Sequence, residues 1–296
     1  MIDFLSVVWD VNPIIFKLGP LAIRWYSLLF IAGFPLGYWL FVKFYKREGI
    51  PTDTLEPLLY ALLIGTIVGA RLGHCLFYQP DYYLTSEHWL EILQPWKGGL
   101  ASHGGAIGVI LAVWWYSAKY GKKYNFDMLW TLDRLAIAVC FAACCIRLGN
   151  LFNSEIYGNE TSLPWGFVFA RRGEVVAKHP TQIYEALSYL ILGLILVFVY
   201  FKKLNKVHRG WFLGFFLVGC FGMRFLIEFI KEDQVDFEAG MTFNMGQLLS
   251  VPFVLAGLFF LIFSAVKRIP PQRVEPVRTH YCPPPKSERL KNGKQN

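Results

Sequence analysis

Seven apolar blocks, each long enough to cross a lipid bilayer, leave this chain few ways to fold. They fall near residues 21–42, 57–78, 100–118, 128–146, 183–201, 211–230 and 246–266. A hydrocarbon core of roughly 30 Å takes about 20 helical residues, and backbone polar groups inside it must be bonded within their own segment. The expected fold is an all-α polytopic membrane protein with seven transmembrane helices. Composition agrees, with 55% of the 296 residues hydrophobic and 17% aromatic. The third block opens "GGLASHGGAIG" and could begin as a re-entrant stretch buried in protein; the seventh contains Pro252, which a bundle tolerates.

The formal charge is +8, and its bearers alternate along the chain. Lys43, Lys46 and Arg47 follow the first block, Lys119, Lys122 and Lys123 the third, Lys202, Lys203, Lys206 and Arg209 the fifth, and Lys267 and Arg268 the seventh. The other connections, "DYYLTSEHWLEILQPWKGG" and "KEDQVDFEAG", are mixed or acidic. Basic loops stay in the cytoplasm, so the N-terminus is expected to be periplasmic and the C-terminus cytoplasmic. The first twenty residues have no basic n-region or small-residue cleavage site, so the first span is expected to be its own insertion signal. Residues 1–269 should form one membrane domain, with 147–182 as a small periplasmic head between helices 4 and 5. Residues 270–296 are Pro-rich and basic, as in a disordered cytoplasmic tail that could rest on anionic lipid.

Ionisable residues inside spans carry the functional signal, because each costs about 2.5–3.5 kcal/mol on insertion scales. On this topology Arg24, Tyr26, Arg71, His74, His103, Arg147, Arg224 and Glu228 all lie in the outer half. Only Asp133 and Arg134 fall in the inner half, where they could pair or snorkel in a structural role. Four arginines against one glutamate leave a positive surplus at outer-leaflet depth. That suits a membrane-anchored anion, and a phospholipid phosphate matches the guanidinium fork. Snorkelling alone would account for Arg24. Arg224 and Glu228 stand four apart, on one helix face, so the carboxylate could hold the guanidinium; the same pair could merely fix helix packing. His103 precedes Gly104 and Gly105, which would leave room for a ligand beside an imidazole able to accept a proton. An interior hydrogen-bonded histidine would look the same.

The stretch "CCIRLGNLFNSEIYG" ends the fourth span. Gly149 or Asn150 would serve as its C-cap. Asn153, Glu155 and Gly158 do not continue the stripe of Arg147, so the chain is expected to unwind and bring amides and a carboxylate together. Cys140 and Cys144 have i, i+4 spacing and could share a soft metal, but no second ligand pair accompanies them, and small buried cysteine is the commoner case. No HExxH or GxxxxGK[ST] motif is present, and no metal, cofactor or nucleic-acid partner is expected.

"IRWYSL", "GGLASHGGAIG", "RLGNLFNSEIYG", "KHPTQIYEAL", "RFLIEF" and "MGQLLSVP" occur in this order, and over residues 12 to 268 the chain resembles the phosphatidylglycerol-prolipoprotein diacylglyceryl transferases of bacterial inner membranes. The resemblance implies seven helices, an outward N-terminus, a periplasmic head and an active site toward the outer leaflet. It implies transfer of the sn-1,2-diacylglyceryl group of phosphatidylglycerol to the lipobox cysteine of a prolipoprotein signal peptide, forming a thioether and releasing glycerol 1-phosphate. Membrane lipid would surround the site. Positions matching the family's functional ones are Tyr26, His103, Arg147, Asn150, Glu155, Arg224 and Glu228. Catalytic roles would fall to His103, Arg147, Arg224, Glu228 and Tyr26, and phosphatidylglycerol binding to Arg147, Asn150, Asn153, Glu155, Gly104 and Gly158. Arg147 and Arg224 would stabilise the departing phosphate and His103 could take the thiol proton. Ile146, Leu151, Cys220 and Lys231 depart from the residues frequent in the family.

Two other classes fit less well. A lipid or anion transporter needs a path to the inner face and often shows repeats; none is visible. An intramembrane protease needs a Gly-x-Ser-Gly nucleophile or paired aspartates, and both are missing.

Overall fold

A computed structural model describes residues 6–19, 21–85, 87–94, 98–232 and 243–270. Its helices are α1 (Trp25–Glu48), α2 (Leu55–Gly73), the one-turn α3 (Pro80–Tyr83), α4 (Ser102–Tyr124), α5 (Met128–Phe152), α6 (Thr181–Lys203), α7 (Trp211–Glu228) and α8 (Met245–Lys267). Six helical stretches among the described residues are long and apolar enough to span a bilayer, and α4 is the exception. It is as long as the others, with 23 residues, but Lys119, Lys122, Lys123 and its glycines dilute its apolar content. It is regular helix from Ser102 onward, so the third block does not open as a re-entrant loop. The basic tail from 271 and most of the acidic loop before α8 lie outside the described residues.

The all-α expectation needs one amendment. Among the described residues four short strands form two pairs: β1 (Val7–Trp9) runs parallel to β4 (Phe167–Phe169), and β2 (Ile14–Leu18) antiparallel to β3 (Leu21–Arg24). The segment ahead of α1 therefore belongs to the same small head as the loop joining α5 to α6. Arg171 pairs with Asp10 at 3.1 Å, and the Trp9 indole donates to the Leu151 carbonyl at 3.0 Å.

The helix α5 is central, packing on α1, α4, α6 and α7. Its start is fixed by Asp127, whose side chain caps it by accepting from the Trp130 amide at 3.0 Å. The contacts at its two ends show how the bundle alternates. At the starting end, Arg134 meets Glu48 of α1 at 2.9 Å, and Tyr200 near the end of α6 donates to the same carboxylate. Asp133 accepts from the Gly210 and Leu213 amides at 2.8 and 2.9 Å, capping α7. Asp133 and Arg134 thus neither pair with each other nor snorkel; each is buried and serves a different helix. At the opposite end, the last turn of α5 meets the first turns of α1 and α6.

Against α2, α4 makes the closest helix approach. A Cβ on Gly104 would strike the Gly69 carbonyl, and one on Gly108 that of Gly65. The glycine after His103 is thus used for helix contact, the usual role of small residues at four-residue spacing between membrane helices.

Candidate functional site

The end of α5 differs from its expected form. The helix runs past Gly149 and Asn150 to Phe152, with Asn153 as C-cap donating its amide to the Gly149 carbonyl at 3.1 Å. Gly149 instead seats the Tyr26 ring, which lies 2.8 Å from where a Cβ would be. Beyond Asn153 the chain unwinds through two residues in left-handed conformation, Ser154 at φ 51° and Ile156 at φ 62°. A β-branched residue there carries strain of order 1–3 kcal/mol, so surrounding bonds must hold it. They do: the carbonyls of Ser154, Glu155 and Ile156 accept from Arg172 at 2.9 Å, Gln182 at 2.7 Å and Thr181 at 2.8 Å.

This clamped turn aims the Glu155 carboxylate back at the helix it has left. One oxygen accepts from the Asn150 amide at 2.8 Å and the Asn153 amide at 3.1 Å, and Asn150 in turn accepts from an Arg147 terminal nitrogen at 3.2 Å. Arg147, Asn150, Asn153 and Glu155 therefore form one hydrogen-bonded set, with Tyr26 within electrostatic reach of Arg147 and Glu155.

A second set joins it from α6. Gln182, Glu185 and Tyr189 recur at i, i+3 and i+7, one helix stripe, and all three are buried. Glu185 Oε2 lies 2.8 Å from Arg147 Nε, an ion pair whose angle falls short of a directed hydrogen bond. Its other oxygen lies 3.2 Å from Lys231 Nζ, and Lys231 reaches Glu228 at 2.9 Å. The Tyr189 hydroxyl is within electrostatic reach of Arg147, Glu185, Cys220 and Arg224, so the end of α7 belongs to the same cluster.

Two sequence expectations change. Glu228 is bonded to Lys231 and not to Arg224; Arg224 Nε is buried with no hydrogen-bond partner among the described residues. Nor is the layer short of carboxylates, since Arg147, Arg224 and Lys231 face Glu155, Glu185 and Glu228. Arg71 leaves the reckoning, because it is buried and donates to the carbonyls of Glu91, Ile92, Gly98 and Gly99. Glu185, Gln182, Tyr189 and Lys231 were not singled out as site residues from sequence. A carboxylate inside the fifth apolar block, on one stripe with Gln182 and Tyr189, was the available signal.

The remaining candidates make no side-chain bond to the cluster, though Gly158 is bridged through its backbone to Lys231. Arg24 is exposed at the end of β3, and His103 is exposed on the first turn of α4 with no side-chain bond to the cluster. Gly158 is buried where the loop crosses back on itself, its amide donating to the His179 carbonyl at 2.8 Å. Ile146, beside Arg147, lines an apolar cavity of about 210 Å³ between α1, α2 and α5, with Phe34, Leu62 and Ala142 among its walls.

In the head, Lys178 is ringed by Glu232 at 2.5 Å, Glu174 at 3.5 Å and Glu160 at 3.8 Å. These carboxylates outweigh the cost of burying its ammonium and raise its pKa. Burial and the hydrogen bond to Glu174 push the Tyr157 phenol up to about 12.

The family model described as prolipoprotein diacylglyceryl transferase matches residues 13–263. Among similar proteins, that of Tolumonas auensis is 46% identical over 260 residues, covering 88% of this chain and 98% of its own. Relatives from Porphyromonas gingivalis (46% over 275 residues) and Bacteroides fragilis (43% over 276) cover 88% and 89% of this chain and 95% and 97% of their own. All three bear the name phosphatidylglycerol–prolipoprotein diacylglyceryl transferase.

Proposed function

The chain belongs to the prolipoprotein diacylglyceryl transferase family, and from that premise we propose that the buried cluster around Arg147 is where its reaction takes place. The protein transfers the diacylglyceryl group of phosphatidylglycerol to the lipobox cysteine of prolipoproteins, the first step of lipoprotein maturation. The thiolate sulfur bonds to the glycerol carbon next to the phosphate, the carbon–oxygen bond breaks, and glycerol 1-phosphate leaves with that electron pair. The developing dianion needs fixed positive charge in a poorly solvated site. One observation carries the assignment: Arg147 is held by Glu185 at Nε and by Asn150 at a terminal nitrogen, so its fork is fixed before a phosphate arrives.

Arg224, with a buried donor that has no partner among the described residues, supplies the second cation. Glu228 is set by Lys231. Tyr26, Asn150, Asn153 and Glu155 meet the glycerol headgroup, with Gly158 in the wall beside them, while Gly104 contributes by letting α4 pack against α2 behind His103. An acyl chain enters the apolar cavity at Ile146, one residue from the phosphate ligand. His103 accepts the thiol proton; its exposure on the first turn of α4 suits a group that meets a membrane-borne peptide.

The same reading gives the topology. Basic residues close α1, α4, α6 and α8, while the head and the cluster share the other bundle end. With α4 taken as a seventh span and the basic ends cytoplasmic, the N-terminus, the head and the site lie on the outer face of the bacterial inner membrane in this reading. Residues 1–269 form the transferase domain. Incubation of the purified protein with phosphatidylglycerol and a lipobox peptide should add a diacylglyceryl mass to the cysteine. Lipid flipping without that adduct would sink the reading.

A further inference from the structure

We infer that Glu185 is a positioning residue for the transfer, acting through Arg147, and that Lys231 keeps it in the geometry this requires; the inference rests on the reading of Arg147 as the phosphate ligand. Glu185 is fully buried, and its two oxygens serve different cations: Oε2 faces Arg147 Nε at 2.8 Å and Oε1 faces Lys231 Nζ at 3.2 Å. Lys231 continues to Glu228 Oε2 at 2.9 Å. The charges therefore alternate along a row, Arg147, Glu185, Lys231, Glu228, that ties the end of α5 to the start of α6 and the end of α7.

A carboxylate left alone with an arginine tends to take two of its nitrogens at once, in the paired arrangement that phosphate also favours. That arrangement would spend the fork on the protein. Lys231 draws one Glu185 oxygen away and leaves the other on Nε. The terminal nitrogens stay free of the carboxylate, one of them toward Asn150 at 3.2 Å. Glu185 thus restrains the long Arg147 side chain without occupying the edge that meets phosphate. Lys231 suits this task because an ammonium is a point charge and can bridge two carboxylates without planar geometry.

A purely charge-balancing Glu185 makes different predictions. In nanodiscs containing phosphatidylglycerol, Glu185→Gln should raise the KM for phosphatidylglycerol and lower kcat, together by about 100-fold in kcat/KM, the scale of a 1 Å misplacement. Glu185→Gln combined with Lys231→Met removes one charge of each sign, so the fold should recover its thermal stability while turnover stays low. Recovery of turnover to within about twofold of wild type in the double variant would overturn the inference. Should the glutamine variants not fold, Glu185→Asp keeps the charge and withdraws the carboxylate by one methylene. It should remain folded with turnover reduced at least tenfold, and wild-type turnover there would overturn the inference equally. Wild-type protein assayed alongside separates this outcome from failure of the transferase reading, which would show as no cysteine adduct in any sample. In that case the headgroup affinity of Glu185→Asp, from its thermal shift in phosphatidylglycerol over phosphatidylethanolamine nanodiscs, decides: weakened binding supports the inference and unchanged binding overturns it.

Discussion

Gly246, the second residue of α8, lies so close to Glu228 that a Cβ there would sit 2.5 Å from the carboxylate Oε1. The far end of a side chain can give way, but Glu228 is buried and tied to Lys231, so its displacement disturbs the charged row. Gly246→Ala should cost about 1–3 kcal/mol by overpacking and lower turnover at least tenfold. An assay of the variant at a temperature where it is fully folded checks this, and unchanged turnover would show that the Glu228 position is not critical.

Arg147→Lys keeps the charge but can offer no planar fork to Glu185, Asn150 and phosphate together. Most activity should be lost, by about 100-fold or more, although the protein still assembles. Near-normal turnover would argue that a point charge suffices.

Thr181 holds the carbonyl of Ile156, a residue at φ 62°. Thr181→Val preserves shape and removes the bond, at a cost of about 1 kcal/mol. The relaxed turn should carry Glu155 away from Asn150 and Asn153 and raise the KM for phosphatidylglycerol. Kinetics indistinguishable from wild type would mean the turn is held by its other clamps alone.

Tyr157 and Lys178 give the head an alkaline limit. Both have pKa values above their ordinary ones, Tyr157 at about 12. Because the folded values exceed the unfolded ones, their stabilisation is complete below pH 10, where both groups are protonated. It falls away as pH rises from the ordinary Tyr and Lys range toward 12. The absorbance difference between wild type and Tyr157→Phe should show a tyrosine ionising near pH 12, with head-loop protease resistance falling in step. Ionisation near pH 10 would place the phenol away from Glu174.

If His103 accepts the thiol proton, an active His103→Gln variant must lose the acidic limb of the pH–rate profile. A retained limb assigns the proton to another group.

The long apolar blocks were legible because hydrocarbon imposes both their length and their composition; the start of α5 and both ends of α8 follow their blocks closely, while α5 runs on to Phe152 past the end of its block. Partnerships were harder. Spacing suggested that Arg224 and Glu228 would meet, since residues four apart share a face, yet Lys231 at i+3 can satisfy Glu228 and Glu185 together. No pattern local to residue 133 or 134 shows that one caps α7 while the other joins Glu48, because both partners arrive from distant sequence. Glu185 left a visible mark, a carboxylate in an apolar run, that the count of arginines obscured. The parallel pairing of β1 with β4 had no local signal at all.

That strand pair fixes an order of assembly. The residues of β1 are made before their partner, Phe167–Phe169, which follows α1 through α5 in the chain. The head is thus a latch thrown late in synthesis. Contacts such as Trp9 to Leu151, at the edge of the Arg147 cluster, can form only once α1 through α5 have been made, so a chain that stops short of them lacks this side of the cluster.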